Sequence, residues 1–285
     1  MSTDERRQLI QLAYRLLGSL TEAEDAVQET YARWYTLSEP QRQQIENPAA
    51  WLTRVAGRIC LDHLKSARVR RESYPGPWIP EPLPAPDPAD RVTLDESVTM
   101  AFLIVLESMT PAERVAVVLH DVFGYPFGEI AAIVDRTPAA CRQLATSGRR
   151  RIQRAARPGA MPADRQAGIV RAFRSAWESA DIGALIGLLD PAVTVTADGG
   201  GRVSTILRPL HGTDEVARYA AALIGGLAGL TILERTVNAR PGLVTQRDGV
   251  TETVLAFDVA GDRIRTIWIV RNPAKLRPRI APAHG

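Results

Sequence analysis

The stretch FGEIAAIVDRTPAACRQLATSGRRRI (127–152) decides how the middle of this chain folds, because it predicts two helices joined by a tight turn. Ile130 and Val134 share one face of the first helix, as buried residues do. Thr137 is a good N-cap for the second helix, and Pro138 is a good first helical residue. This arrangement predicts a helix-turn-helix, a motif whose second helix enters the major groove of DNA.

The second helix of this motif carries side chains that are suited to reading and holding DNA. Arg142 and Gln143 lie in its first turns and have the chemistry to bind guanine and adenine edges, respectively. Five arginines suited to phosphate contacts follow, namely Arg149, Arg150, Arg151, Arg154 and Arg157. Residues 136–157 hold seven arginines and no acidic residue, which favours a DNA-binding surface over an ordinary solvated helix pair.

Residues 1–72 predict helices only. Leucines recur at helical spacing as far as Gly18, which is suited to end the first helix. Thr21 and Glu24 have the spacing of a capping box that would open the second helix. The polar face of the second helix carries Asp25, Gln28, Glu29 and Arg33, the last two at the i,i+4 spacing of an ion pair. Taken alone, these residues are most simply a solvated helix face.

A third helix is predicted to begin with Asn47 as its N-cap and Pro48 as its first residue. Apolar residues from Leu52 to Ile59 fall on one of its faces. The opposite face is basic, with Arg54, Arg58, Lys65 and Arg68, continued by Arg70 and Arg71. Residues 54–71 carry a formal charge of +5, and we interpret the stripe as free of acidic i,i+4 partners. This favours binding to nucleic acid over a solvated face.

Prolines divide the chain. The stretch YPGPWIPEPLPAPDPAD (74–90) places seven prolines within fourteen residues, which excludes helix and predicts an extended polyproline II linker. A second break lies near residues 156–165. We therefore predict an N-terminal domain over 1–72, a linker over 73–91, a helix-turn-helix domain over 92–157 and a C-terminal domain over 163–285.

The C-terminal segment predicts an α+β domain. Apolar residues recur at helical spacing between residues 169 and 189 and again in EVARYAAALIGGL (215–227). Val193, Val195 and Ala197 alternate like a strand that ends at Asp198 and three glycines. Further strands are predicted to meet at the turn signals Pro241-Gly242, Asp248-Gly249 and Gly261-Asp262.

Composition excludes several classes of protein. The 285 residues have a formal net charge of +3 and an ordinary hydrophobic share of 45%, so a disordered or fibrous chain is excluded. Cys60 and Cys141 are the only cysteines, and neither lies in a ligand motif, so a disulfide scaffold or zinc finger is not expected. No apolar run is long enough to span a membrane, and the chain is expected to be cytoplasmic and to need no cofactor.

Three blocks of this sequence resemble regions 2 and 4 of the bacterial extracytoplasmic-function sigma factors. They are DAVQETYARW (25–34), NPAAWLTRVAGRICLDHLKSARVRRE (47–72) and TPAERVAVVLHDVFGYPFGEIAAIVDRTPAACRQL (110–144). The resemblance implies that the chain binds core RNA polymerase at the β′ clamp and the β flap. It assigns the contact with polymerase to Asp25, Gln28, Glu29, Arg33 and Trp34. This replaces the solvated-face interpretation of the second helix.

The same resemblance implies promoter DNA as the second partner. It assigns recognition of the −10 element to Asn47, Trp51, Arg54, Arg58, Lys65, Arg68, Arg70 and Arg71. Recognition of the −35 element is assigned to Thr137, Pro138, Arg142, Gln143, Arg149, Arg150 and Arg151. Ser147-Gly148 stands where relatives more often have Arg-Ala. Since glycine costs up to about 1 kcal/mol inside a helix, binding at −35 is expected to be weaker than usual.

The linker and the tail resemble the corresponding segments of one group within that family. The members of this group carry a SnoaL-like C-terminal domain. The resemblance implies two all-α domains followed by an α+β cone of the nuclear-transport-factor-2-like type. The residues that carry it are Tyr74, Pro77, Trp78, Pro80, Asp198, Gly199, Gly200, Gly201, Asn272, Pro273 and Lys275. We expect them to regulate the sigma factor in place of a separate anti-sigma factor. Ala274 departs from the tail motif, which usually has an acid there.

An enzyme fused to a DNA-binding module is the alternative. A cone of this type usually encloses an apolar pocket that could take a small ligand, and Asp198 with His211 beside it could act as a catalytic base. Asp198 borders three glycines, however, and neither a second acid nor a metal-ligating cluster accompanies it in the sequence. We therefore expect a regulatory domain and no enzyme activity.

Overall fold

The computed structural model describes residues 3–84, 98–155, 162–224, 226 and 228–276. The chain forms two compact units, of which the first comprises Met1–Ser73 and Phe102–Ala156 and the second Tyr74–Ala101 and Arg157–Gly285. The first part of the proline-rich linker therefore belongs to the same unit as the C-terminal segment. Residues 85–91 of the linker and Arg157 lie outside the described residues, as does the side chain of Arg70.

The first unit is helical throughout its described residues, as the sequence predicts. Its elements are α1 (Thr3–Leu17), α2 (Leu20–Thr36), α3 (Glu39–Gln43), α4 (Pro48–Glu72), α5 (Met100–Glu107), α6 (Pro111–Val117), a π-helical turn (Val118–Val122), α7 (Phe127–Val134) and α8 (Pro138–Ala155). Helices α1, α2 and α4 pack together, and α6, α7 and α8 form the helix-turn-helix portion.

The ends of α1 and α2 show which local signals were decisive. Gly18 has a φ of +69° and donates its N–H to the carbonyl of Tyr14 at 2.8 Å, which confirms the predicted stop. The predicted capping box at Thr21 is wrong. Ser19 caps α2 instead, its hydroxyl accepting from the N–H of Glu22 at 3.3 Å, so the helix already includes Thr21.

One buried arginine ties α1 to the helices that follow the linker. Arg114 is 2% exposed and pairs with Glu107 at 2.7 Å. Its guanidinium also donates to the carbonyls of Leu106 and Leu16, each at 2.8 Å. Buried charge is tolerated here because carboxylate and carbonyl oxygens satisfy the guanidinium donors, and removing either partner would leave the other uncompensated.

The second unit is α+β, which confirms the predicted fold class. Its elements after the linker are α9 (Ala163–Glu178), α10 (Ile182–Leu188), β1 (Leu189–Asp198), β2 (Leu210–His211), α11 (Thr213–Ile224), β3 (Thr231–Val237), β4 (Arg240–Arg247), β5 (Val250–Ala260), β6 (Arg263–Val270) and a 3-10 turn (Pro273–Lys275). The strands form one mixed sheet in the order β2-β1-β6-β5-β4-β3, in which only β1 and β6 pair in parallel.

Two of the three turns predicted between strands lie at the predicted residues. Asp248-Gly249 and Gly261-Asp262 lie in turns, as predicted. Pro241-Gly242 does not, because both residues are within β4. The turn is made three residues earlier by Asn238 and Ala239, with φ values of 48° and 60°.

The core of the second unit lies between its helices and one face of the sheet. Phe173 of α9 meets Phe257 of β5 edge to face, with ring centroids 5.3 Å apart. Val193, Val195 and Ala197 of β1 are all buried, as their alternation predicts. Pairing of β1 with β6 sets the carboxyl end of β1 beside the chain that leaves β6, so Asp198 lies next to residues 271 and 272.

Candidate functional site

The polar face of α2 lies where the sequence places it. Asp25 and Gln28 are exposed, and Arg33 pairs with Glu29 at 2.6 Å. An exposed pair of this kind adds little stability, typically 0.2–1 kcal/mol, so these residues are available to a partner. Trp34 differs from the other four, because it is buried and packs edge to face on Trp51 at 5.2 Å. Its place is in the contact between α2 and α4.

The basic stripe of α4 is partly occupied within the first unit. Arg54, Lys65 and Arg68 are exposed, but Arg58 donates to the carbonyl of Ile133 at 3.0 Å. The prediction that the stripe lacks acidic partners is wrong. Asp62 lies 3.8 Å from Arg58 and 3.3 Å from Lys65, one turn away on the same face.

Arg71, at the C-terminal end of α4, is held by contacts within the first unit. Its guanidinium pairs with Glu107, which also holds Arg114, and donates to the carbonyl of Leu17 at 3.4 Å. Of the basic residues described on α4, Arg54, Lys65 and Arg68 are therefore the exposed ones. At the N-terminus, Asn47 caps the helix as predicted, accepting from the N–H of Ala50 at 3.1 Å.

A cavity of about 530 Å³ lies between the start of α4 and α7. Asn47, Trp51 and Arg54 line it on one side and Glu129 on the other. Tyr125 closes one end, where its hydroxyl donates to Thr53 Oγ1 at 2.7 Å. Three of the residues assigned to −10 recognition thus share one recess containing an aromatic, an amide and a cationic side chain.

Helix α8, which the sequence predicts to be a recognition helix, begins at the predicted residues. Asp135 ends α7 in the left-handed conformation, and Thr137 Oγ1 accepts from the N–H of Ala140 at 3.2 Å. Pro138 is the first residue of the helix. Arg142 and Gln143 are both exposed in its first turns, and the Arg142 guanidinium lies 5.7 Å from the centre of the Phe127 ring.

The later arginines of α8 fall into two groups. Arg150 and Arg154 are exposed. Arg149 forms two hydrogen bonds with Asp121, at 2.8 and 2.5 Å, and Arg151 lies 3.5 Å from Glu113. The paired arginines also hold α8 against the preceding helices, which a count of basic residues in the sequence does not reveal.

Ser147 and Gly148 have a packing role in this chain. Ser147 donates its hydroxyl to Glu113, the residue that completes the capping box of α6. Gly148 lies so close to α6 that a Cβ atom would meet Val117 Cγ2 at 2.4 Å. The Ser-Gly pair therefore sets the contact between α8 and α6.

In the second unit, Asp198 binds the linker. Its side chain is 1% exposed, and both of its carboxylate oxygens accept hydrogen bonds. The donors are the Tyr74 hydroxyl at 2.6 Å, the Ile79 N–H at 3.0 Å, the Lys275 ammonium at 2.7 Å and the Gly200 N–H at 2.9 Å. A buried carboxylate with this many donors, one of them cationic, is a strong anchor.

The tail completes the binding of the linker. Lys275 also donates to the Ile79 carbonyl, and its ammonium lies 3.9 Å from the centre of the Trp78 ring. Asn272 donates to the Tyr74 hydroxyl at 2.9 Å. Pro80 is buried and Pro77 half-buried beside these contacts, whereas Pro273 and Ala274 are exposed. The departure at Ala274 thus leaves the anchor intact.

The three glycines after Asp198 allow the loop to approach the linker and the tail. Gly200 and Gly201 have φ values of 62° and 68°. A Cβ atom would lie 2.4 Å from Asn272 at the first position and 2.6 Å from Pro75 at the second. Only glycine fits both the backbone conformation and the space.

A second anchor of the linker, at Asn238, was not predicted from the sequence. Asn238 is 0% exposed, and its Oδ1 accepts from the N–H of Leu83 at 3.1 Å, while its own N–H donates to the Leu83 carbonyl at 3.1 Å. Pro84 bridges Val237 next to it. We call Asp198, Asn238, Asn272 and Lys275, which together hold linker residues 74–84, the linker clasp. An Asn in a hairpin turn carries no sequence signal for a contact 155 residues away.

The clasp bears directly on the enzyme alternative. A general base needs an oxygen that faces a substrate, and the Asp198 oxygens face the linker and Lys275. His211 pairs in register with Thr194, four residues before Asp198 along β1, and is therefore not its neighbour. Among the described residues no group of three His, Cys, Asp or Glu side chains could hold a metal ion. None of the described helices has the length and apolar character to cross a membrane.

Comparisons with known proteins cover almost the whole chain. The family model for Sigma-70 region 2 matches residues 1–70, and that for Sigma-70, region 4 matches residues 100–152. The ECF RNA polymerase sigma factor SigJ of Mycobacterium tuberculosis is 36% identical over 95% of this chain and 90% of its own length. The probable ECF RNA polymerase sigma factor SigI of the same species is 33% identical over 98% of this chain and 95% of its own.

The structural comparison agrees with these matches. The crystal structure of the extracytoplasmic function sigma factor SigJ from Mycobacterium tuberculosis superposes with a TM-score of 0.76 at 33% identity. The match covers 95% of each chain, so it includes both units.

Proposed function

Because this chain belongs to the extracytoplasmic-function sigma factors of the sigma-70 family, we propose how its surfaces divide the work of transcription initiation. As a sigma factor it associates with core RNA polymerase and directs it to promoter DNA. We assign region 2 to residues 1–72, region 4 to 92–157 and a regulatory domain to 163–285, with 73–91 as the linker.

The exposed face of α2 is the proposed contact with the β′ clamp, and region 4 is the proposed contact with the β flap. On α2, Asp25, Gln28, Glu29 and Arg33 present a polar, charged surface, which suits a polar partner. Trp34 supports this surface from behind by its packing on Trp51.

The recess between α4 and α7 is the proposed −10 site. Trp51 can stack on an unstacked base, and Arg54 can hold the neighbouring phosphate, as in other proteins that bind single strands. Lys65 and Arg68 continue the basic surface beyond the recess.

The first turns of α8 are the proposed −35 site. Arg142 and Gln143 are exposed where a recognition helix meets base edges, and Arg150 and Arg154 are placed to bind phosphates. Arg149 and Arg151 would reach DNA only by leaving Asp121 and Glu113.

The second unit is the proposed regulator, and the linker clasp is the observation that carries this proposal. The clasp holds residues 74–84 through a buried carboxylate, a cation and two amides. A linker that must thread through polymerase between regions 2 and 4 cannot do so while held in this way. The clasp therefore restrains the sigma factor from within, so that no separate anti-sigma factor is required and no catalysis is involved.

Run-off transcription with reconstituted polymerase tests this proposal. Asp198→Asn removes the charge that Lys275 and the linker share, and hydrogen bonds to charged groups are worth about 1.5–3 kcal/mol. We expect transcript yield at limiting sigma factor to rise roughly tenfold. The control is Asp248→Asn, an exposed Asp in a hairpin turn of the same unit, which should leave the yield unchanged. Equal yields from Asp198→Asn and wild type would refute control by the clasp.

A further inference from the structure

A second cavity, of about 310 Å³, lies inside the second unit between its helices and the sheet. Its wall is mainly apolar, formed by residues such as Phe173, Leu185, Val195, Leu223, Leu255 and Ile267. Ligand pockets usually measure about 300–1,000 Å³, so this one admits only a small molecule.

Two wall residues carry buried polar atoms that are left without a partner. Among the described residues nothing hydrogen-bonds to Thr245 Oγ1 or to Trp177 Nε1, although these side chains are 1% and 8% exposed. A buried polar group without a partner costs about 1–3 kcal/mol. Because the indole N–H can only donate, the missing partner for Trp177 is an acceptor oxygen.

The charged residues of the wall leave one positive charge. Arg247 and Glu252 pair with each other at 2.9 Å, which neutralises both. Arg271 donates to the Ser204 carbonyl at 2.9 Å and forms no ion pair within the described part of the chain. A neutral backbone carbonyl satisfies one guanidinium donor and leaves the charge uncompensated, so a carboxylate is the group that this wall favours.

Arg271 belongs to the wall of the cavity and also adjoins the linker clasp. Its N–H donates to the backbone carbonyl of Asp198 at 2.8 Å, and the next residue is Asn272. Its guanidinium holds Ser204, in the loop whose glycines approach the tail and the linker. A ligand that drew this guanidinium away from Ser204 would release that loop.

We propose that this cavity binds a small, mostly apolar carboxylic acid whose carboxylate pairs with Arg271, and that binding loosens the linker clasp. The second half rests on the proposed regulatory function. The acid's apolar body fills the space between helices and sheet, and its carboxylate supplies the negative charge that Arg271 lacks.

Isothermal titration calorimetry of the full-length protein tests the site. The probes are octanoate and 1-naphthoate, each compared with its alcohol, octanol or 1-naphthalenemethanol. At least one acid should bind about tenfold more tightly than its alcohol, as expected for a charge-assisted hydrogen bond. Arg271→Gln should abolish this preference, whereas Arg218→Gln, exposed on α11 outside the cavity, should retain it.

A variant that fills the cavity provides an independent check. Ala220→Phe adds a ring at the wall and should abolish binding of acid and alcohol alike without lowering the melting temperature. The site is refuted if none of the four probes binds wild type. The role of Arg271 is refuted if acid and alcohol bind equally.

Hydrogen exchange at the Ile79 and Leu83 amides, both donors to the clasp, tests the coupling. A saturating acid should speed their exchange toward the rates found in Asp198→Asn. If the acid binds and Asp198→Asn speeds exchange but the acid does not, the coupling is wrong and the proposed regulation stands. If Asp198→Asn itself leaves exchange unchanged, the clasp and the proposed regulation fail, while the calorimetry still decides the binding site.

Discussion

Glu113 joins the start of α6 to α8, because its carboxylate accepts from Thr110 and from Ser147. Burial alone would raise the pKa of this carboxyl, but hydrogen bonds from Ser147 and Thr110 and the charge of Arg151 outweigh it and lower the pKa below its usual 4.5. The folded protein therefore binds this proton less readily than the unfolded chain does. The resulting stability is fully present above the unfolded pKa and is lost as the pH falls through the folded pKa.

Glu113→Gln should lower the free energy of unfolding at neutral pH by about 1–3 kcal/mol, the cost of a buried group losing charged hydrogen bonds. The difference from wild type should shrink as the pH falls below the usual carboxyl pKa of 4.5. Urea unfolding across this range measures it, and Glu129→Gln, an exposed residue of α7, serves as control. A difference that stays constant with pH would show that the ionised form of Glu113 is not what stabilises the contact.

Arg150 and Arg149 are adjacent in sequence but differ in their surroundings, and this predicts different effects on DNA binding. Arg150 is exposed, so Arg150→Ala should flatten the dependence of log affinity on log salt by about one unit for the holoenzyme on promoter DNA. Arg149 is bound to Asp121, so Arg149→Ala should change the slope less and should lower the melting temperature. Equal slopes for Arg150→Ala and wild type would mean that Arg150 does not touch phosphate.

At the level of the helix, α8 is shaped by its contact with α6. Ala usually stabilises a helix interior by up to about 1 kcal/mol relative to Gly, but Gly148→Ala would place a methyl group 2.4 Å from Val117 Cγ2. Overpacking of a core costs about 1–3 kcal/mol, and Val117 is buried and β-branched, so it cannot easily yield. We expect a net destabilisation of the first unit in thermal unfolding. Gly168→Ala in α9, where nothing lies within 4 Å, should instead stabilise.

Local patterns predicted most elements of this chain. Where they failed, either a neighbouring residue took the predicted role, as Ser19 did in place of Thr21, or a contact distant in sequence decided. Gly18 and Asn47 act as their sequence context predicts, because a helix end is a local matter. Arg71 has the same sequence signal as Lys65, but Arg71 pairs with Glu107, 36 residues away, whereas Lys65 is exposed. Asn238 could not be predicted as part of the clasp, since its partner Leu83 is brought to it by the fold of the whole unit.

At the scale of the molecule, the first unit holds the parts proposed to bind the −10 and −35 elements against each other. Arg58 of α4 binds the Ile133 carbonyl of α7, and Tyr125 binds Thr53. The −10 and −35 elements are separate stretches of DNA, whereas these contacts keep α4 and α7 adjacent. We therefore expect a sigma factor engaged with both elements to break these contacts.

Linking α4 to α7 covalently should therefore abolish promoter-dependent transcription. Ala50→Cys of α4 with Ala132→Cys of α7 places two accessible thiols on the walls of the same recess, where a bis-methanethiosulfonate linker that spans the recess can join them. The native Cys60 and Cys141 are buried, and burial raises the pKa of each thiol, so they should not react. Run-off transcription should be lost on cross-linking and return on reduction, while each single-cysteine variant treated in the same way keeps its activity. Full activity of the cross-linked protein would show that α4 and α7 stay together on the promoter.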